Sequence, residues 1–317
     1  MIRFATIGTS NITEEFLDAA SNCKDFKYEA SYSRDINKAK EFATKHGAVK
    51  YYDSLEEIGQ DKDIDAVYIA SPNSLHCNHA IKMMEMGKHV LCEKPFSLSP
   101  EDTKLMFDVA KKNGVVLMEA MRPVHDPGVE MLKELIDTIG DIHMVELSFC
   151  QLSSRFESFK KGDNPNIFNP KMGGGALYDL GVYDIETLLY LFGAPKGLTA
   201  SNILLENGVI GAGMITAEYP GMIANLKYSK IHNENINSYI AGEKGTIYIP
   251  MFRDMDRFEV EYTDGTKKTV KRQECANNML FELEDFIAAI EKEKDLTKYK
   301  ELSLLTAEHL EMAGAEG

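Results

Sequence analysis

Three side chains in this sequence have types and settings suited to moving a proton at a reacting oxygen. Lys94 follows the apolar run Val90-Leu91-Cys92 in HVLCEKPFSLSP, and Pro95 fixes the backbone directly after it. A lysine on a surface loop is ordinary. A lysine at the tip of a buried parallel strand stands where open α/β sheets bind their ligands. Asp179 and Tyr183 lie in GGGALYDLGVYDIETLLYLFG, residues 173–193. At about 100° per residue they share one stripe with Glu186 and Tyr190. Leu180, Val182 and Leu189 flank that stripe, and Leu177, Ile185, Leu188, Leu191 and Phe192 fill the opposite side. A polar stripe so hemmed suits a wall facing a cavity, or else a satisfied seam in a domain interface. The glycines that open the segment let its backbone approach something closely.

A second group of residues suits a dinucleotide. Gly8-Thr9-Ser10-Asn11-Ile12-Thr13 directly follows the first strand. The dinucleotide fingerprint wants glycine at the first, third and sixth places, and only Gly8 matches. The setting is more telling than the pattern: a strand, a tight turn at Gly8, then helix-start amides able to face a pyrophosphate, with the Ser10 hydroxyl as a further donor. The plain alternative is a helix-capping turn with no ligand. At the tip of the second strand stand Ser33 and Arg34, with Lys38 one turn later; a hydroxyl and a guanidinium there suit a 2′-phosphate. Asp35 reads either as a ribose-binding acid displaced by one place or, preferred here, as the N-cap of the next helix. NADP(H) is therefore the expected cofactor, with NAD(H) possible. Ser71, Pro72, Asn73 and His76, and then Glu93 and Lys94, occupy the tips of the next two strands and complete the nucleotide set, together with Arg122 beyond the fifth. Arg122 and His125 have ordinary structural readings as well as a substrate-contact reading. No metal site is expected, since Cys77 does not share a helix face with His76 and His79.

The elements that must position these groups follow from the pattern of apolar runs. Strands are predicted at Arg3–Ile7, Lys27–Tyr32, Ala66–Ala70, His89–Cys92 and Val115–Glu119, alternating with helices at Asn11–Ser21, Ile36–His46, Ser74–Met86 and Pro100–Asn113. Such alternation with short connections makes a parallel, doubly wound sheet. After Arg122 the rhythm changes. A helix near Gly128–Thr138, a strand His143–Leu152, an irregular loop Ser153–Met172 and a helix Ala176–Phe192 precede seven short strand-like runs, with TDGT (Thr263–Thr266) as a hairpin turn. An amphipathic helix near Asn278–Glu293 follows. The fold class is thus α/β for residues 1–121 and α+β, with a mostly antiparallel sheet, for 122–317.

Bulk properties set the outer limits. A net charge of −15 argues against a nucleic-acid partner. No apolar run approaches the roughly 20 residues of a membrane helix, so no membrane partner is expected. The apolar part of the opening MIRFATIGTSN is too short for a signal peptide. Cys23, Cys77, Cys92, Cys150 and Cys275 form no CxxC pair and read as buried thiols in a reducing compartment. The expected location is the cytoplasm.

Taken together, IGTSNIT, SPNSLHCNHA, GKHVLCEKPFSLS and GGGALYDLGVYDIE resemble the glucose-fructose oxidoreductase/inositol dehydrogenase (Gfo/Idh/MocA) family of NAD(P)-dependent enzymes, over nearly the whole chain. The resemblance implies a Rossmann domain and a second domain whose large open sheet mediates oligomers, here a homodimer or homotetramer. It implies that Lys94 is the catalytic lysine and that Asp179 belongs to the active site, orienting the substrate or the lysine. Many relatives have histidine at the Tyr183 position; tyrosine is the candidate acid/base here. The implied reaction is hydride transfer to or from a secondary alcohol or carbonyl of a sugar, polyol or cyclic diol. A non-catalytic nucleotide-sensing regulator and an NAD-dependent glycosidase are the alternatives on the same fold. The chain ends earlier than the family pattern, so a short final helix is expected.

Overall fold

The computed structural model describes residues 1–315. The chain divides into two compact units, Met1–Met121 with Ala276–Leu304, and Arg122–Cys275 with the stretch from Leu305. The sequence pattern predicts a single cut after residue 121. The difference lies in the helix near residue 280, whose Met279, Leu283, Phe286 and Ile287 share a core with Phe4, Phe16 and Tyr68.

The first unit runs β1 (Ile2–Ile7), α1 (Asn11–Ala20), β2 (Phe26–Tyr32), α2 (Ile36–His46), β3 (Lys50–Tyr52), α3 (Leu55–Gln60), β4 (Ala66–Ile69), α4 (His76–Glu85), β5 (His89–Glu93), α5 (Pro100–Asn113) and β6 (Leu117–Ala120). Its sheet has the order β3-β2-β1-β4-β5-β6, and every pairing is parallel. Strands covered on both faces need apolar residues at every position. Accordingly Phe4, Ala5 and Ile7, Val67, Tyr68 and Ile69, and Val90, Leu91 and Cys92 are all 0% exposed. Local chemistry sets the helix ends. Asp35 caps α2 by accepting the Asn37 and Lys38 N–H groups, and Ser99 caps α5 at the Asp102 N–H, with Pro100 in the first turn. β3 and α3 are absent from the sequence-based expectation. Each is too short to show a period, and ion pairs of Lys50 with Asp61 (2.8 Å) and Asp63 (2.7 Å) tie this edge down instead.

The second unit contains α6 (Arg122–His125), α7 (Pro127–Ile136), β7 (Ile142–Cys150), α8 (Phe156–Lys160), α9 (Val182–Phe192), β8 (Gly197–Leu204), β9 (Ile210–Tyr219), β10 (Met222–Ser229), β11 (Ser238–Gly242), β12 (Gly245–Ile249), β13 (Arg257–Tyr262) and β14 (Lys267–Lys271). α10 (Met279–Ile290) then returns to the first unit, and α11 (Thr297–Ala315) follows. α11 has 19 residues, so the final helix is not short. The second sheet has eight strands in the order β14-β13-β12-β11-β7-β10-β9-β8. It is antiparallel except between β7 and β10, which run parallel from Met144↔Ile223 to Cys150↔Ser229. The C-terminal ends of these two central strands therefore meet at one edge. One face packs Val145, Leu147, Ala224, Leu226 and Tyr228, all buried. The TDGT turn closes as predicted, with Gly265 at φ 89° and the Tyr262 N–H donating to the Thr266 carbonyl at 2.8 Å.

Candidate active site

In the first unit the strand order changes direction between β1 and β4, the position where open α/β sheets hold their ligands. Gly8 stands there at φ 123°. A Cβ on it would lie 2.5 Å from the Ala70 carbonyl oxygen, so the turn admits only glycine. Ser10 precedes α1, but its hydroxyl does not cap that helix; among the described residues it lies 3.4 Å from the Thr13 hydroxyl. The hydroxyl and the first amides of α1, at Asn11 and Ile12, are thus arranged to meet an anion. At the tip of β2, Asp35 spends its carboxylate on the α2 N-cap. Arg34 is exposed and makes no ion pair or side-chain hydrogen bond among the described residues. Ser33 accepts the Asp35 N–H at 3.3 Å, and Lys38 is exposed in the first turn of α2. The donors left open at this tip fit a ribose phosphate better than a bare ribose diol.

The next two strand tips are fastened to one another. His76 is buried, and its ring nitrogens face the Pro95 carbonyl at 2.9 Å and the Ser71 carbonyl at 2.8 Å. Burial lowers its pKa, against the opposing effect of these two bonds. His79 reaches the Ser71 hydroxyl at 3.0 Å, and burial brings it down to about 4. Both imidazoles thus hold the Ser71-Pro72-Asn73 turn, and His76 also ties it to the Lys94-Pro95 loop. Glu93 is buried and accepts the Tyr68 hydroxyl at 2.5 Å, while Tyr68 stacks on Phe16 at 3.7 Å. From β6, Glu119 accepts the Phe96 N–H at 3.0 Å, and burial pushes its carboxyl up to about 7. Lys94 is half-buried between these anchors. Glu119 was not marked by sequence reasoning, because an acid inside an apolar strand gives no hint of which loop it holds.

In the second unit, Leu177–Gly181 form a wider, π-type turn before α9 begins at Val182. This turn changes the angular step between Asp179 and the residues of α9, which keep the regular helical spacing among themselves. Tyr190, two turns beyond Tyr183, donates to Glu130 on α7 beneath the Lys133 ammonium, which lies 3.9 Å from its ring. Asp179 and Tyr183 turn instead to the paired ends of β10 and β7. Asp179 forms an ion pair with Lys230, the first residue past β10. Tyr183, 5% exposed, sets its ring against Phe149 of β7 with centroids 5.3 Å apart. The glycines ahead of the turn approach the chain's own loop. A Cβ on Gly174 would sit 2.6 Å from the carbonyl oxygens of Asn166 and Ile167. Arg122 and His125 are buried on α6, beside Asp126, whose carboxylate pairs with Arg272 at 2.8 Å. Lys230 carries the same signal as Lys94, a lysine directly past an apolar strand. The parallel β7–β10 pairing that makes such a tip significant joins strands far apart in the sequence, Met144 with Ile223, and so leaves no local signal.

Comparison with known proteins places the chain among oxidoreductases. Residues 2–121 match the GFO/IDH/MocA family model described as an oxidoreductase family with an NAD-binding Rossmann fold, and residues 129–248 match the GFO/IDH/MocA C-terminal domain. The chain is 42% identical over 315 residues to the scyllo-inositol 2-dehydrogenase (NADP(+)) IolU of Bacillus subtilis, covering 99% of this chain and 96% of that enzyme. It is 30% identical over 255 residues to the trans-1,2-dihydrobenzene-1,2-diol dehydrogenase of Mus musculus, covering 78% and 74%. The fold is also that of KijD10, a 3-ketoreductase from Actinomadura kijaniata crystallised with NADP and TDP-benzene, at a TM-score of 0.88, 24% identity and coverage of 99% and 97%.

Proposed function

The chain belongs to the GFO/IDH/MocA oxidoreductase family, and from that premise we propose that it is an NADP(H)-dependent dehydrogenase of a polyol or cyclic diol. The observation that carries the cofactor choice is the division of labour at the β2 tip. Asp35 is committed to the helix cap, and Arg34 is left open beside Ser33. When bound, the nicotinamide supplies hydride transfer at the carbinol carbon. The chain supplies the proton chemistry: the Tyr183 hydroxyl is assigned the proton of the reacting oxygen, and the Lys94 ammonium the polarisation of that oxygen. Asp179 orients the substrate, and Arg122 and His125 are candidate contacts on the substrate side.

No helix among the described residues is long and apolar enough to cross a membrane. All five cysteines are free, although only Cys92 is fully buried. Both facts fit the cytoplasm. The second sheet leaves Met214 and Ile223 exposed on the face away from its core, and we assign that face to a homodimer or homotetramer contact.

Fluorescence titration tests the cofactor reading without needing a substrate. A hydrogen bond to a charged group contributes about 1.5–3 kcal/mol, equivalent to about 10- to 100-fold in affinity. Arg34→Ala is expected to weaken NADPH binding by that factor and to leave NADH nearly unchanged. Tighter binding of NADH than NADPH by the wild type would return Asp35 to the ribose and overturn the assignment.

A further inference from the structure

Lys230 has no role in the reaction as described so far, yet both its backbone and its ammonium are held. Its N–H donates to the Gly211 carbonyl at 2.9 Å, and its own carbonyl accepts the Ser153 N–H at 2.9 Å. Neighbouring strands and the loop after β7 thus fix its backbone from both sides. The side chain is 11% exposed and its ammonium is committed to Asp179, whose side chain keeps 22% of its exposure. A pair buried to this degree is poorly explained as a stabilising device, because the desolvation of two charges offsets most of their attraction. It is well explained as a recognition device. The carboxylate accepts hydrogen bonds, the ammonium donates them, and adjacent hydroxyls on a ring each do both. A monohydroxy alcohol satisfies only one member of such a pair.

Resting on the polyol reading, we propose that Asp179 and Lys230 together form a vicinal-diol subsite, with Lys230 as the specificity-determining residue. Asp179 accepts from one hydroxyl and Lys230 donates to the next, while the ion pair fixes the direction of the carboxylate. The preferred substrates are rings bearing a hydroxyl next to the reacting carbon.

The test compares oxidation of cyclohexane-1,2-diol and cyclohexanol with NADP+ in the wild type, Lys230→Met and Lys230→Gln. Loss of a charged donor is expected to reduce kcat/KM for the diol by about 10- to 100-fold, chiefly through KM. Cyclohexanol should lose clearly less than the diol, since it offers no hydroxyl to Lys230 and feels only the loosened Asp179. Lys230→Gln, which keeps a donor, should fall between. NADPH titration checks that each variant retains a folded first unit, and a melting curve checks the whole chain. Equal losses on both alcohols, or none on the diol, would overturn the proposal. A wild type that oxidises no alcohol would instead sink the dehydrogenase reading. Calorimetric binding of scyllo-inositol to the NADPH-loaded protein then reads Lys230 directly, and equal affinity in wild type and Lys230→Met would dismiss the subsite.

Discussion

Tyr183 differs from phenylalanine by one oxygen, and that oxygen is the proposed proton carrier. Its ring packs against Phe149, so Tyr183→Phe keeps the packing and deletes the chemistry. Turnover should fall by about 10²–10⁴-fold, the usual size of a general acid/base contribution, with the melting temperature nearly unchanged. Tyr183→His should lose less, since an imidazole can carry the same proton. Lys94→Met should give a loss of the same order while NADPH titration stays close to wild type. Normal turnover in either the Phe or the Met variant would remove that residue from the mechanism. Single positions were legible in the sequence where the signal is local: Gly8 at a strand-to-helix turn, and Lys94 directly past a buried strand. Lys230 and Glu119 were not legible, because the first depends on Asp179 and the second on the Phe96 N–H, neither of them near in sequence.

Among the elements, the segment entering α9 departs most from a regular pattern, and the departure has a reason. The wide turn over Leu177–Gly181 brings Gly181 against the Tyr228 ring, where a Cβ would meet ring carbons at 2.9 Å. A constant step of about 100° places residues well along a regular helix but fails across such a turn. The turn lies between Asp179 and Tyr183, so a constant step cannot fix the angle between those two, although the helix itself is plain in the sequence. α9 also carries an acid in its first turn that no functional reading uses. Asp184 is 0% exposed, both its carboxylate oxygens lack a partner among the described residues, and burial raises its pKa well above the usual carboxylate range. A carboxyl whose pKa is raised by folding retains its proton in the native state after the unfolded chain has lost it. Stability is then full below the unfolded value near 3.9 and falls as pH rises toward the folded value, by up to about 1.4 kcal/mol per pH unit. Glu119, pushed up to about 7, adds a slope of the same sign up to that pH. Asp184→Asn keeps the shape and removes one of the two titrations. Melting temperatures between pH 5 and 8 should therefore decline less steeply in the variant, and at pH 8 the variant should be the more stable protein. Parallel curves would mean that Asp184 is ionised and satisfied in the fold.

For the molecule as a whole, the change of rhythm near residue 122 was legible because a sheet with helical crossovers and an antiparallel sheet have different spacings between apolar runs. The membership of α10 was not. Its amphipathic pattern says only that one face is buried, and contact with Phe4, Phe16 and Tyr68 decides where. Assembly poses a further question at this scale. Each chain carries a net charge of −15, so two copies repel unless their contact is apolar or its charges are already paired. The open face of the second sheet meets both conditions. Ile223 and Met214 are 44% and 45% exposed, and Lys227, directly opposite Met214, is paired with Glu146 at 2.6 Å and Glu234 at 3.5 Å. In a two-fold contact each copy presents this same patch to the other, so a single substitution acts twice. Ile223→Lys puts two new ammonium groups into the interface without partners, and burying an unpaired charge costs several kcal/mol. The wild type should sediment as a dimer or tetramer, more firmly at high salt as the repulsion is screened. Ile223→Lys should lower the sedimenting mass at the same protein concentration while NADPH titration remains unchanged. Met214→Asp should act in the same direction. A monomeric wild type, or assembly untouched by both substitutions, would free this face from the role assigned to it.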